Sequence, residues 1–306
     1  MNNLETLTQN YLDFCQYQKR LDSKTLKAYR IDLKQFAEQM SPASIAEITP
    51  DTLETFISGL HQTYKPKTSK RKIASLKAFF HYLEYKDIIQ VNPMNKIQTR
   101  FREPITLPKT IPLHIIETFL STMYHQKKLA KTEYEQKCIT RDIAVIELLF
   151  ATGMRISELC SLRPENVNLY EGDVLIYGKG AKERKIQIGN KDVISILYEY
   201  QQTFHVEIES CGYFFVNRLM KRLSEQSVRE MINKYSKLAD IHLHITPHMF
   251  RHSFATYLLE SDVDIRYIQK MLGHSSINIT EIYTHVAMSK QKDILTTKHP
   301  RKDFSF

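Results

Sequence analysis

Four short segments gather side chains that are expensive to bury singly and useful in combination. ATGMRISELCSL carries Arg155 just past Gly153, with Glu158 at helical spacing and close enough to pair with it. By itself such a couple reads as a surface i, i+3 ion pair. GKGAKERK concentrates Lys179, Lys182, Arg184 and Lys185 on a hairpin tip, which is a solvated loop by default and an anion-closing loop if it folds inward. ITPHMFRHSFATYLL begins a helix at Pro247 and sets His248, Arg251 and His252 on neighbouring positions of one face. Cations at that spacing repel, so the cluster makes physical sense if an anion or acid neutralises it. In LGHSSINITEIYTH, His274 follows Gly273 in a turn and Tyr283 lies on the next helix.

Arginines, a lysine, histidines and a tyrosine suit phosphoryl transfer without a metal. Guanidinium forks hold the non-bridging oxygens of a phosphodiester and stabilise the charge of its transition state. A tyrosine hydroxyl can attack phosphorus if a base takes its proton, and a lysine or histidine can protonate the departing oxygen. His242 and His244 near His248 offer a metal site as a rival reading. Arg251 among the ligands opposes a divalent cation, however, and neither HExxH nor a carboxylate triad is present. No G-x-G-x-x-G or G-x-x-x-x-G-K-[ST] pattern occurs, so a backbone cradle for nucleotide phosphates and ATP-driven chemistry are not expected. The expected chemistry uses no cofactor.

The elements that must position these groups follow from periodicity. Leu4, Leu7, Tyr11 and Phe14, then Tyr29, Leu33 and Phe36, then Leu53, Phe56 and Leu60, then Ile73, Leu76, Phe80 and Leu83 mark four helices. Lys65, Lys67, Lys70, Arg71, Lys72 and Lys77 crowd the start of the fourth, as a solvated basic face or as phosphate contacts. A proline-punctuated stretch without clear period follows, giving a first domain over 1–103, a linker over 104–112 and a second domain over 113–306. Beyond the linker, helices are expected around Leu113–Tyr124, Arg141–Thr152, Asp192–Phe204, Gln226–Ala239, His248–Leu259, Asp264–Leu272 and Thr280–Leu295. Asp173–Tyr177 and Arg184–Ile188 form a hairpin, so the class is mainly α with a small antiparallel sheet. The chain has 306 residues, 42% hydrophobic and 25% charged, with a formal charge of +9 that points to a polyanionic partner, nucleic acid first. Its four scattered cysteines suggest neither zinc nor disulfides. Neither a secretory signal nor an apolar span is seen, so a cytoplasmic protein is expected.

TGMRISEL, GKGAKER, HMFRH, LGHSS and TEIYTHVA, in this order and at these gaps, resemble the motifs of the tyrosine site-specific recombinases, the phage-integrase family, and most closely its Xer-type branch. The first third resembles that family's SAM-like core-binding domain, and His299–Arg301 its Xer-type ending. Met154 departs from the usual Leu. The resemblance implies that Arg155 and Arg251 clamp the scissile phosphate, with a hydrogen bond added by His274. It makes Tyr283 the nucleophile, Lys179 the general acid with Lys182 in reserve, His248 an acid–base residue, Glu158 the acid orienting Arg155, and His252 structural. It implies a 3′-phosphotyrosyl intermediate, no metal and no ATP.

The partner implied is duplex DNA with an inverted-repeat core site. Lys70, Lys72, Lys77, Gln226 and Arg229 are the expected groove or phosphate contacts. Strand exchange implies four protomers on two duplexes, the tail from Ser289 docking on a neighbour, and room for accessory directionality proteins or a partner recombinase. Two rival functions share these residues: a type IB topoisomerase that relaxes supercoils, and a DNA-binding regulator that kept the fold and lost the chemistry.

Overall fold

The computed structural model describes residues 3–40, 45–99, 101, 109–178 and 183–273. The chain divides into two compact units, Met1–Ile105 and Thr106–Phe306. Among the described residues no helix is long and apolar enough to cross a membrane. The helix expected over Thr280–Leu295 lies outside the described residues.

The first unit is built on four helices: α1 (Leu4–Asp13), α2 (Ser23–Met40), α3 (Pro50–Thr63) and α4 (Pro66–Tyr85). Thr49 and Thr52 form a reciprocal cap at the start of α3, and Pro50 and Pro66 occupy first-turn positions where a missing N–H is harmless. The apolar stripe Ile73, Leu76, Phe80 and Leu83 on α4 is buried, together with Leu7, Tyr11, Leu33, Phe36 and Leu53.

One expected DNA contact is overturned here. Lys72 is 5% exposed, so it faces the interior and is not a groove-facing cation. Its ammonium donates to Asp32 Oδ1 at 3.2 Å and to Gln35 Oε1, and lies 4.8 Å from the centre of the Tyr64 ring. The buried Asp32 carboxylate also takes bonds from Arg71 and, at 2.9 Å, from the Ser75 hydroxyl. A carboxylate removed from water costs several kcal/mol unless it is paired and fully hydrogen-bonded, and α4 supplies those partners across to α2. Lys70 and Lys77 remain exposed.

The second unit runs α5 (Leu113–Leu129), α6 (Glu133–Thr152), α7 (Ile156–Cys160), β1 (Val167–Asn168), β2 (Asp173–Tyr177), β3 (Glu183–Gln187), α8 (Lys191–Thr203), α9 (His205–Cys211), α10 (Glu225–Leu238), α11 (Pro247–Glu260) and α12 (Ile265–Leu272). The sheet is antiparallel in the order β1-β2-β3, with Val167 opposite Val174 and Ile176 opposite Arg184. Helix α6 is the spine. Ile143, Ala144, Val145, Ile146, Leu148 and Leu149 are all fully buried, the mark of a helix surrounded by others. It begins earlier than periodicity suggested, because Thr132 and Glu135 form a capping box ahead of the apolar run. The five-residue α7, the seven-residue α9 and the two-residue β1 escaped the sequence reading because none is long enough to display a period.

Candidate active site

The site is assembled where helices end. Helix α6 stops at Gly153 with φ +58°, and α12 stops at Gly273 with φ +64°. Both are left-handed helix ends that suit glycine, and each leaves terminal carbonyls needing donors. At Gly153 space adds its own demand, since a Cβ would stand 2.6 Å from Cδ1 of Phe254. Arg251, on α11 and 5% exposed, serves both ends. Its Nη1 donates to the Gly153 carbonyl and its Nη2 to the Leu272 carbonyl, each at 2.7 Å. A cation at the negative end of a helix dipole is favourable, and here one guanidinium sits at two.

Arg155 begins α7 in extended backbone, φ −73° and ψ 146°. Its backbone N–H donates to Glu158 Oε2 at 2.8 Å, and its Nη1 to Glu158 Oε1 at 2.9 Å. The side chains are 33% and 5% exposed, so the acid is interior and the arginine half out. Glu158 is thus no surface partner. A second arginine reaches it from β3: Arg184 Nη1 donates to Oε1 at 3.0 Å and Nη2 to Oε2 at 2.6 Å, while Arg184 Nε donates to the Met271 carbonyl at 2.8 Å. The carboxylate therefore accepts four bonds, and three guanidiniums share one negative charge.

Together, burial and these charges shift Arg251, Glu158 and His248. Burial and the nearby charge of Arg155 pull Arg251 down to about 9, with Glu158 opposing and Arg184 adding to the effect. Burial pushes Glu158 up, but hydrogen bonds from Arg184 and Arg155 outweigh it and hold the carboxyl below its usual range. His248, at the start of α11, is held below the ordinary imidazole value by desolvation and then by Arg251, Arg155 and Arg229, against Glu225. The shift favours the neutral imidazole, the form that can accept a proton.

Glu158→Gln should destabilise the fold by about 3–5 kcal/mol at neutral pH, because it leaves buried cations without their counter-charge. The sign of the pH dependence follows from the lowered carboxyl. Its contribution is complete above the ordinary value of 4.5 and is lost as pH falls through the depressed folded value. Urea midpoints for the two proteins should then differ most near pH 7 and converge in acid. A constant difference across that range would contradict the pairing.

The phage integrase family model matches residues 120–290, and that family's N-terminal SAM-like domain matches residues 8–86. The chain belongs to the phage integrase family. A tyrosine recombinase of Agathobacter rectalis is 63% identical over 306 residues, spanning all of both chains. The tyrosine recombinase XerD of Listeria monocytogenes is 35% identical, over 97% of this chain and 100% of its own. In fold, the chain resembles the XerH site-specific recombinase bound to palindromic difH substrate, with TM-score 0.75 and 22% identity over 95% of this chain and 84% of that one. It also resembles a lambda integrase tetramer bound to a Holliday junction, with TM-score 0.70 and 16% identity over 91% and 79%.

Of the residues the phage-integrase motifs single out, Arg155, Glu158, His248 and Arg251 meet in one electrostatic cluster. Lys179, Lys182, His274 and Tyr283 lie outside the described residues, as does the tail from Ser289. Gln226 and Arg229 are exposed on α10 and bonded along their own helix, to Glu230 at 3.1 Å and Glu225 at 3.0 Å. Arg184 is the member of the cluster that sequence reasoning left on the hairpin tip. The period-two pattern of β3 held the signal, since Arg184 falls in the same register as the buried Ile186 and Ile188.

Proposed function

We propose that this protein is a Xer-like tyrosine recombinase, a site-specific enzyme that cuts and rejoins duplex DNA. The observation that carries the reading is the buried Arg251 guanidinium within the field of Arg155, each hydrogen-bonded in place within a phage-integrase fold. Among the described residues, only two of the five N–H donors of Arg251 are engaged, both on backbone carbonyls. The others suit the non-bridging oxygens of a phosphodiester, as does the exposed face of Arg155. Oriented donors of this kind need no reorganisation as charge builds on phosphorus.

In this mechanism the Tyr283 oxygen attacks phosphorus and its proton passes to the His248 imidazole. The bond from phosphorus to the 5′ oxygen breaks, and Lys179 gives that oxygen a proton. His274 adds a hydrogen bond to the phosphoryl oxygens. The product is a 3′-phosphotyrosyl ester and a free 5′-hydroxyl. A 5′-hydroxyl from a second duplex reverses the same steps, so ligation needs no ATP. Exposed Lys70 and Lys77 on α4, with Gln226 and Arg229 on α10, supply DNA contacts. The helix-surface pairs of Gln226 and Arg229 are worth at most about 1 kcal/mol, little enough for DNA to displace. Four protomers on two duplexes, acting at an inverted-repeat core in the cytoplasm, complete the reading. The lambda integrase tetramer on a Holliday junction and the XerH complex with palindromic difH support that arrangement by likeness of fold.

The test is covalent trapping. Binding sites are selected from random duplex DNA, nicked beside the cleavage position, and mixed with the protein. Loss of the short 5′-hydroxyl fragment should leave protein on DNA through denaturing electrophoresis. Absence of any adduct across the selected sites would overturn the recombinase and topoisomerase readings together and leave a DNA-binding protein. Exchange of flanking DNA between two sites then separates recombinase from topoisomerase.

A further inference from the structure

We propose that Arg184 is a positioning residue for strand cleavage, acting through Glu158 on Arg155; the proposal rests on the recombinase reading above. Arg184 spans three elements. It starts from β3, grips Glu158 of α7 with two prongs, and donates through Nε to the Met271 carbonyl near the end of α12. Its shaft lies against Gly273, where an added Cβ would stand 3.0 Å from Arg184 Cδ and 3.1 Å from Nη1. Exposure separates the two arginines on Glu158. Arg155 is 33% exposed and Arg184 only 8%, so an incoming phosphate meets Arg155, while Arg184 works from behind.

The consequence is geometric. Glu158 accepts two bonds from Arg155 and two from Arg184, and the second pair comes from a different part of the chain. Without the Arg184 fork, the terminal torsion of the glutamate is broad and the carboxylate plane can turn, carrying the Arg155 guanidinium with it. Lysine at 184 keeps the charge, but a single ammonium cannot hold both carboxylate oxygens and the Met271 carbonyl at once. A displacement near 1 Å at a group that contacts the reacting centre costs about 100-fold in rate.

The deciding experiment compares two suicide duplexes. One carries the natural phosphodiester. The other carries a methylphosphonate at the scissile position, in which a methyl group replaces one non-bridging oxygen and the charge is gone. With that charge absent, correct placement of Arg155 matters far less. Arg184→Lys should form adduct about 10- to 100-fold more slowly than wild type on the phosphodiester, and within about 3-fold of it on the methylphosphonate. Arg155→Ala should show the same pattern. Equal slowing on both substrates would assign Arg184 to the fold alone, and no slowing would deny it any role; either overturns the proposal. If circular dichroism shows that the lysine variant does not fold, Arg184→Gln is carried through the same comparison. Failure of both variants to fold also overturns it. Should wild type itself form no adduct on either duplex, the recombinase reading falls and takes this proposal with it, an outcome distinct from failure of the variant alone.

Discussion

A Tyr283→Phe protein should bind its DNA site as tightly as the unsubstituted chain and form no covalent adduct with it. The substitution removes one oxygen, so groove and phosphate contacts elsewhere are untouched. What disappears is the atom that would bond to phosphorus. Covalent catalysis divides one difficult displacement into two, and no division is possible without a nucleophile. The expected loss in single-turnover cleavage is at least about 10⁴-fold, the scale seen when a nucleophile is removed from an otherwise intact site. Band shift and denaturing electrophoresis on the same samples read binding and adduct separately. The chain has 17 tyrosines, so persistence of the adduct would mean that another ring supplies the oxygen. The mechanism would then need a different donor.

How far the sequence led depends on what kind of information each feature needed. The stripe on α4, the β2–β3 hairpin, the end of α6 at Gly153 and the start of α11 at Pro247 are local, and local periodicity or chain chemistry announces them. The pairing of Arg155 with Glu158 was also legible from spacing, but its interior setting was not. That setting is made by Arg184, which lies 26 residues from Glu158, and no local pattern ties the two together. Lys72 was misplaced for the same reason, because its partner Asp32 lies 40 residues away on α2.

Lys72 and Arg184 share a feature that a stricter reading of period could have caught. Lys72 stands on the buried face of α4 with Ser69, Ile73, Leu76 and Phe79, and Arg184 in the buried register of β3 with Ile186. A cation at a core position needs a buried acid, because an unpaired charge there is too costly to keep. Asp32 serves Lys72 in the first unit and Glu158 serves Arg184 in the second, and each acid takes bonds from two cations. The two clusters differ in what is left over. Arg71 and Lys72 face Asp32 with a Ser75 hydroxyl and a Gln35 amide, within the core of a helical unit. Around Glu158 a third guanidinium, Arg251, is held by neutral carbonyls, and burial first, then the nearby charge of Arg155, holds it below the ordinary arginine range. An excess of positive charge in a fixed geometry is what a phosphodiester would neutralise.

Arg251→Lys puts that surplus to the test and should separate catalysis from folding. Two effects are expected, of different size and origin. Lysine offers one ammonium where the guanidinium bridged Gly153 and Leu272, so at least one buried carbonyl loses its donor. An orphaned buried acceptor costs about 1–3 kcal/mol, which should lower the melting temperature by several degrees without unfolding the protein at 20 °C. Cleavage should suffer far more. On the proposed reading, the remaining N–H donors of Arg251 meet the transition-state oxygens; each such oriented donor is worth about 10²- to 10³-fold, so a fall of at least about 10³-fold is expected. Charge alone cannot prevent it, since the ammonium keeps the charge and loses the geometry. The measurement is adduct formation on the nicked duplex at 20 °C, beside a thermal melt of the same sample. A folded Arg251→Lys protein that cuts at the wild-type rate would show that Arg251 holds two helix ends together and nothing more. A variant that stays folded, binds DNA and fails to cut would place this guanidinium on the scissile phosphate.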